Sequence, residues 1–345
     1  MLTLPDRACS PEATTRHLAI ATLLLAATLV APWGARAQGP VTSAPAKSVP
    51  AGIVGAFDHL FAGPHAGQRA VHANGLLCEG SFVPAPGAAM LSRAAHLRGE
   101  AKPVLVRFSN FAAVPGLPDG SPLASPRGVA IKFLLPDGND TDIVAHSYNG
   151  FPAGTPADFL AFLRALPDPA ATEAYAAAHS AARAFLDDPK PAPSSYGTET
   201  YFGVNAFRFT DAAGLSRYGR YHIVPVAGSS HLSAEEAASR APDFLATELA
   251  ERLRQGPVEF RLLVQLAGEG DLVEDGSVPW PANRPVVELG TLTLRALVPA
   301  GDERQADLAF VPTNLVGGIE PSTDPMLLAR TQAYRISAER RINAR

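Results

Sequence analysis

The chain has 345 residues and a formal net charge of −4, with neither a basic surplus nor an acidic run. That balance excludes a nucleic-acid-binding surface built on bulk charge and an acidic disordered tail. With 47% apolar residues a packed core is within reach, and 32 prolines with 29 glycines favour turns and ordered loops over a helical bundle.

The first segment reads as a targeting signal. Arg7 and Arg16 precede an apolar run from Leu18 to Val30, and Ala35-Arg36-Ala37 supplies a small-residue exit. This predicts a secretory signal peptide over 1–37, cleaved after Ala37, and a mature chain in the periplasm or outside a bacterial cell. An uncleaved anchor is the alternative, but the run falls short of the roughly 20 residues a membrane span needs. No second long apolar stretch follows, so no membrane contact is expected after cleavage. Residues 38–51, rich in Pro, Ala, Ser and Gly, read as a flexible leader, and 52–345 as a single domain. Cys9 leaves with the signal; Cys78 alone cannot form an internal disulfide and is expected as a small buried residue beside a strand. No C-x-x-C-H motif occurs, which excludes haem attachment of the cytochrome c type.

Strand and turn signals are dense from about Gln68 to Asn149, with β runs at 103–109 and 128–135. Thr155-Pro156 opens a helix over 157–166, and Pro169 a second one toward Phe185. A β region spans 201–226, divided by the turn Asp211-Ala-Ala-Gly214. Ser233-Ala-Glu-Glu236 is a capping box opening a helix that stops near Gly256. Val258, Phe260, Leu262, Val264 and Leu266 alternate with polar residues as a half-buried strand, and 286–297 is another. After a break at 321–325, a last helix runs from about Met326 to near the C-terminus. Many strands joined by short connections predict an α+β class built on an antiparallel sheet or barrel.

Phosphate-loop, serine-elbow and zinc-site spacings are all missing from the sequence. The informative patches are Arg69-Ala-Val-His72-Ala-Asn-Gly75, Val106-Arg107-Phe108-Ser109-Asn110, Ser125-Pro126-Arg127-Gly128 running on to Lys132-Phe133, Tyr218-Gly-Arg220-Tyr221-His222, and Arg330-Thr-Gln-Ala-Tyr334 with Arg341 beyond. In this order they resemble catalases over nearly the whole mature chain. Because only a short tail follows Tyr334, the closer likeness is to the small catalase-related peroxidases; Asp142-Ile-Val-Ala-His146 through Phe151-Pro152 resembles that subgroup too.

The resemblance implies a catalase-like antiparallel β-barrel with peripheral helices and a C-terminal haem-ligand helix. It implies haem b with Tyr334 as the iron ligand, and Arg330 four residues earlier on the same helix face, favouring the phenolate. It casts His72 as distal base, Ser109 as the group fixing its tautomer, and His146 in the place of an asparagine over the haem. Arg69, Arg107 and Arg341 fall where haem propionates are bound, and Phe151 and Phe159 where aromatics pack on the haem. The implied partners are peroxide and a small organic reductant. Two rivals stay open: a haem enzyme of the same fold that rearranges lipid hydroperoxides without a donor, and an exported haem-binding protein with no use for His72. The remaining histidines (His59, His65, His96, His179, His222, His231) show no metal spacing and read as structural or exposed.

Overall fold

The computed structural model describes residues 48–344. The expected signal peptide and most of the expected leader lie outside them. The leader's last four residues do not: Ser48 caps, and Val49–Ala51 open, the helix Val49–Leu60, α1. Ser48 caps it by accepting from the Ala51 N–H, Pro50 sits in its first turn, and Ile53, Val54 and Phe57 form its buried stripe.

Eight strands form the body of the fold: β1 (Gly75–Pro84), β2 (Lys102–Ser109), β3 (Gly128–Phe133), β4 (Thr141–His146), β5 (Tyr201–Thr210), β6 (Ser216–Pro225), β7 (Val258–Leu266) and β8 (Val286–Leu297). All neighbours are antiparallel, in the order β4-β3-β2-β1-β8-β7-β6-β5, and His146 opposite Phe202 closes the ring. A short ninth strand, β9 (Ile319–Pro321), pairs with the far part of β5. The expected antiparallel barrel is thus present, and Cys78 lies within β1, fully buried.

The barrel lumen is solid. Phe82, Val104, Val106, Phe108, Phe133, Tyr201, Tyr221 and Phe260 belong to one buried cluster, as a small eight-stranded barrel requires. On β2, Val104, Val106 and Phe108 take the inner face, so Leu105, Arg107 and Ser109 point outward. Leu105 duly joins a separate cluster with Leu77, Val298 and Phe310. Both faces of β2 are covered, and its outer face belongs to the β1–β4 wall.

The helices that cover this wall are α1, α3 (Pro156–Ala165), α8 (Gly301–Asp307) and α9 (Pro325–Asn343). Between α1 and α3 in the chain is the one-turn α2 (Ala88–Leu91). Two expected helices are each divided. The one from Pro169 is α4 (Pro169–Ala178) and α5 (Ser180–Asp187), parted at His179, whose backbone turns extended at φ −132° and ψ 99°. The one from the capping box is α6 (Ala234–Ser239) and α7 (Phe244–Gln255), because Pro242 cannot continue a helix. The capping box itself forms as expected. Among the described residues no helix is long and apolar enough to cross a membrane.

Candidate active site

Register places the first half of the site. Gly75, Ser109, Gly128 and His146 face one another across β1, β2, β3 and β4, and Leu77, Arg107, Ala130 and Val144 form the next row on the same face. Glycine and alanine leave this outer face shallow. Farther along the same face, Lys132 and Asp142 close it with a buried ion pair at 2.6 Å.

His72 is folded onto that shallow floor from the segment before β1. Its backbone is left-handed, φ 58°, which costs a non-glycine residue roughly 1 kcal/mol or more. The surroundings enforce it: the His72 N–H donates to Phe111 O at 2.7 Å, and its carbonyl accepts from Arg107 Nη2 at 3.0 Å. The ring lies over Gly128, where an added Cβ would stand 2.8 Å from His72 Nδ1 and from Ser109 Oγ. Ser109 Oγ is 3.1 Å from His72 Nδ1, and Phe111 meets the ring edge-on at 5.6 Å between centroids. Burial, then the Arg107 charge and His146, hold His72 down at about 3. It is a neutral imidazole at ordinary pH, and an Nδ1–H given to Ser109 leaves Nε2 free to accept.

His146, next to Gly128 in the row, is also neutral; burial and the Arg330 charge lower it to about 3. Its Nδ1 accepts from the Tyr148 N–H at 3.3 Å, which puts the proton on Nε2. That Nε2 is buried and has no hydrogen-bond partner among the described residues. Phe151 flanks the ring at 6.2 Å between centroids and lies tilted, at 51°, against Phe159 at 4.7 Å.

Helix α9 forms the opposite wall. Arg330, Tyr334, Ser337 and Arg341 recur at helical spacing along one face, and all four line the cavity. Arg330 Nη2 donates to Tyr334 Oη at 2.9 Å, and its Nη1 donates to Asn205 Oδ1 at 2.5 Å. Asn205 Nδ2 donates in turn to Asp324 Oδ2 at 2.6 Å, while Asp324 Oδ1 caps α9 at the Met326 N–H. Asn205 reaches this place because the β5–β6 register shifts between Gly203 and Phe207, a bulge that re-aims its side chain.

The third wall is cationic. Arg69 Nη2 donates to the Gln305 and Leu308 carbonyls, and Arg341 to those of Ala306 and Leu308. Arg107 Nε donates to Gln305 Oε1 at 2.6 Å, and Gln305 Nε2 to Gly75 O. The C-terminal carbonyls of α8 thus receive guanidinium groups, as a helix C-terminus favours. Burial, with Arg107 and Arg341 close by, keeps Arg69 well below the usual arginine range. Arg341, near the chain end, is nonetheless only 4% exposed.

All ten residues expected from the sequence (His72, Ser109, His146, Arg69, Arg107, Phe151, Phe159, Arg330, Arg341 and Tyr334) line one cavity of about 1640 Å³, counting its open mouth. Sequence reasoning missed Asn205, Gln305 and Asp324. Asp324 before Pro325 carries an N-cap signal, whereas nothing in the sequence marks the other two. It also gave no role to Arg127, which is 1% exposed and ties Asn110 Oδ1, the Ala124 carbonyl and the Asp119 carbonyl together behind the Ser109 row.

These residues fit a haem. An apolar cavity has a phenol on one wall facing a neutral His–Ser pair on the other, and clustered guanidiniums at one end suit two carboxylates. The missing Cβ at Gly128 and the unpartnered Nε2 of His146 leave space and a donor on the His72 side.

The comparisons with known proteins agree with this geometry. The catalase family profile matches residues 59–345. A catalase-related peroxidase of Mycolicibacterium paratuberculosis is 39% identical over 286 residues, covering 81% of this chain and 90% of that one. A second, from Synechococcus elongatus, is 31% identical over 84% of this chain and 87% of its own length. A catalase of Pseudomonas aeruginosa is 30% identical, but this chain spans only 58% of it. A fungal catalase structure superposes with a TM-score of 0.73 at 22% identity, over 90% of this chain and 66% of that one, a likeness of fold alone. The chain belongs to the catalase family.

Proposed function

We propose that the chain is a haem-dependent peroxidase that reduces hydrogen peroxide, or a small organic hydroperoxide, with electrons from an organic donor. The observation that carries the reading is the facing pair of walls: His72–Ser109 on the sheet and Arg330–Tyr334 on α9, both lining one cavity. Haem b would be held by Tyr334 as iron ligand, by Arg69, Arg107 and Arg341 at its carboxylates, and by Phe151 and Phe159 against its ring. Bound there, it supplies the redox chemistry that no side chain of the site provides.

The chain's own residues handle protons and orientation. Neutral His72 accepts a proton at Nε2 from one peroxide oxygen and returns it to the other, so that water is the leaving group. Ser109 holds the ring in the tautomer that leaves Nε2 free. His146 Nε2–H supplies a hydrogen bond to peroxide from the side. Arg330 donates to Tyr334 Oη and holds the phenol oxygen in place. The mature enzyme is placed in the periplasm or outside the cell by a 1–37 signal peptide, and N-terminal sequencing of exported protein should begin at Gln38.

The test is the optical spectrum of the protein purified with haem, beside that of Tyr334→Phe. The expected result is a high-spin ferric phenolate spectrum that is altered or lost in the variant. A haem-free protein, or a spectrum indifferent to Tyr334, overturns the reading.

A further inference from the structure

Ser109 ends β2, His146 ends β4, and Gly128 opens β3 between them. The groups expected to handle peroxide therefore lie on the last rung of the ladder, where strands fray most easily. Arg127, the residue before Gly128, is buried and does not line the cavity, and the same holds for Asn110 and Asp119. Three tethers converge on it. Arg127 Nη1 donates to Asn110 Oδ1 at 2.5 Å, and Asn110 follows Ser109 in the chain. The same nitrogen donates to the Ala124 carbonyl at 2.9 Å. That carbonyl also accepts the Phe111 N–H at 3.0 Å, and Phe111 in turn accepts the His72 N–H. The Arg127 N–H donates to Ser147 Oγ and its carbonyl accepts the Ser147 N–H, both at 2.9 Å, and Ser147 follows His146. The far side of the cluster is anchored in the core. Arg127 Nη2 donates to the Asp119 carbonyl at 2.5 Å, the Asp119 carboxylate accepts from Asn110 Nδ2 and the Leu245 N–H, and Tyr196 Oη donates to Asn110 Oδ1.

We propose that Arg127 is a positioning residue for the peroxide reaction, fixing His72, Ser109 and His146 relative to one another from behind the sheet. The inference rests on the peroxidase reading above. Each of the three side chains stands one residue or one short run of hydrogen bonds from this single group. Ser109 and His146 belong to different strands and His72 to the segment before β1, so no one strand could align them. His72 needs the anchor most, because its left-handed backbone is held through Phe111. The task suits a planar guanidinium, whose donors reach separate acceptors in fixed directions, and not an ammonium on a flexible stem.

The test compares wild type with Arg127→Lys, which keeps the charge and loses the fork, and Ser147→Ala, which removes the oxygen that the Arg127 N–H meets. Imidazole nitrogen NMR of the full chain without haem reads the ring tautomers. The haem-loaded protein gives the Soret spectrum and the peroxide kinetics. In wild type the proton is expected on Nδ1 of His72 and Nε2 of His146. The proposal expects Arg127→Lys to mix the tautomers of both rings and to lower kcat for hydrogen peroxide by roughly 10-fold or more, with the Soret spectrum unchanged. Ser147→Ala is expected to alter the His146 signals alone. A folded Arg127→Lys with wild-type tautomers and wild-type kcat overturns the proposal, whatever stability it has lost, since an arginine that only supports the fold would behave so. If the lysine variant does not fold, Ser147→Ala decides, and His146 signals identical to wild type overturn the proposal. A wild type without peroxide turnover, whose tautomers still depend on Arg127, sinks the peroxidase reading instead and leaves Arg127 as the organiser of the three side chains.

Discussion

Gly128→Ala is a one-carbon perturbation aimed at the centre of the site. Gly128 is paired with Ser109 on one side and His146 on the other, and the His72 ring rests on its open face. A Cβ there would sit 2.8 Å from His72 Cε1, His72 Nδ1 and Ser109 Oγ, against about 3.4 Å for an ordinary contact. The ring and the hydroxyl must retreat by about 0.6 Å, and the backbone of His72 resists because its N–H and carbonyl are both bonded. Overpacking of this kind costs about 1–3 kcal/mol, and displacing a reacting group by about 1 Å can cost on the order of 100-fold in rate. The expected protein is folded, melts several degrees lower, takes up haem with its spectrum intact, and loses roughly 10- to 100-fold in kcat/KM for peroxide. Absorbance at the Soret band measures the loading, and peroxide consumption per haem measures the rate. A fully loaded Gly128→Ala with wild-type kcat/KM would refute the idea that contact with this residue sets the His72 position.

Asn205→Leu removes the amide between Arg330 and Asp324, leaving a buried donor and a buried carboxylate facing an alkyl chain. The expected loss is about 2–3 kcal/mol of unfolding free energy by denaturant titration, together with a shifted ferric spectrum because Arg330 is no longer held against Tyr334. Unaltered stability and spectrum would show the chain to be idle. His96 offers a pH test away from the cavity: it is buried against Phe133 with an unpartnered Nδ1, and burial followed by the Lys102 charge lowers it to about 3. Its folded value lies below the unfolded one of about 6.5, so the unfolded chain takes up the proton first and stability falls as pH drops from 6.5 toward 3. In His96→Phe that loss is absent, and its stability relative to wild type should improve by about 2 kcal/mol between pH 7 and pH 5. A constant difference across that range would count against the buried neutral state. Buried Asp119, Asp142, Asp324 and Glu199 have raised values and act in the opposite direction, but they are common to both proteins and cancel.

The site residues themselves were legible because each lies in a contiguous patch whose chemistry is distinctive: a histidine before one strand, an arginine and a serine at the end of the next, a tyrosine four residues past an arginine. Their shared cavity was not legible from any one patch. Along β2 every residue from Val104 to Ser109 is buried, so the run shows no alternation and hides which residues face the lumen and which face the site. Only the antiparallel register aligns Gly75, Ser109, Gly128 and His146 in one row. The two over-long helices have different origins: no breaker marks His179, where the backbone alone turns extended, whereas Pro242 is a breaker in the sequence that the reading ran through.

Asn205 and Gln305 show where sequence reading stops for a physical reason. A residue that touches a reactant is constrained by the reaction, so its type and its immediate neighbours are recognisable. A residue that holds another in place is constrained only by the distance left to span, and that distance is set by elements far away in the chain. Asn205 bridges Arg330 and Asp324 because a bulge in β5 brings an amide to a gap of two hydrogen bonds. Gln305 bridges Arg107 and the Gly75 carbonyl because α8 ends beside β1. Either place could be taken by another side chain of suitable reach if the bulge or the helix moved by one residue. Local pattern therefore cannot mark such residues. They are found only once the walls of the cavity are in place, and they decide how firmly those walls hold His72 and Tyr334 opposite one another.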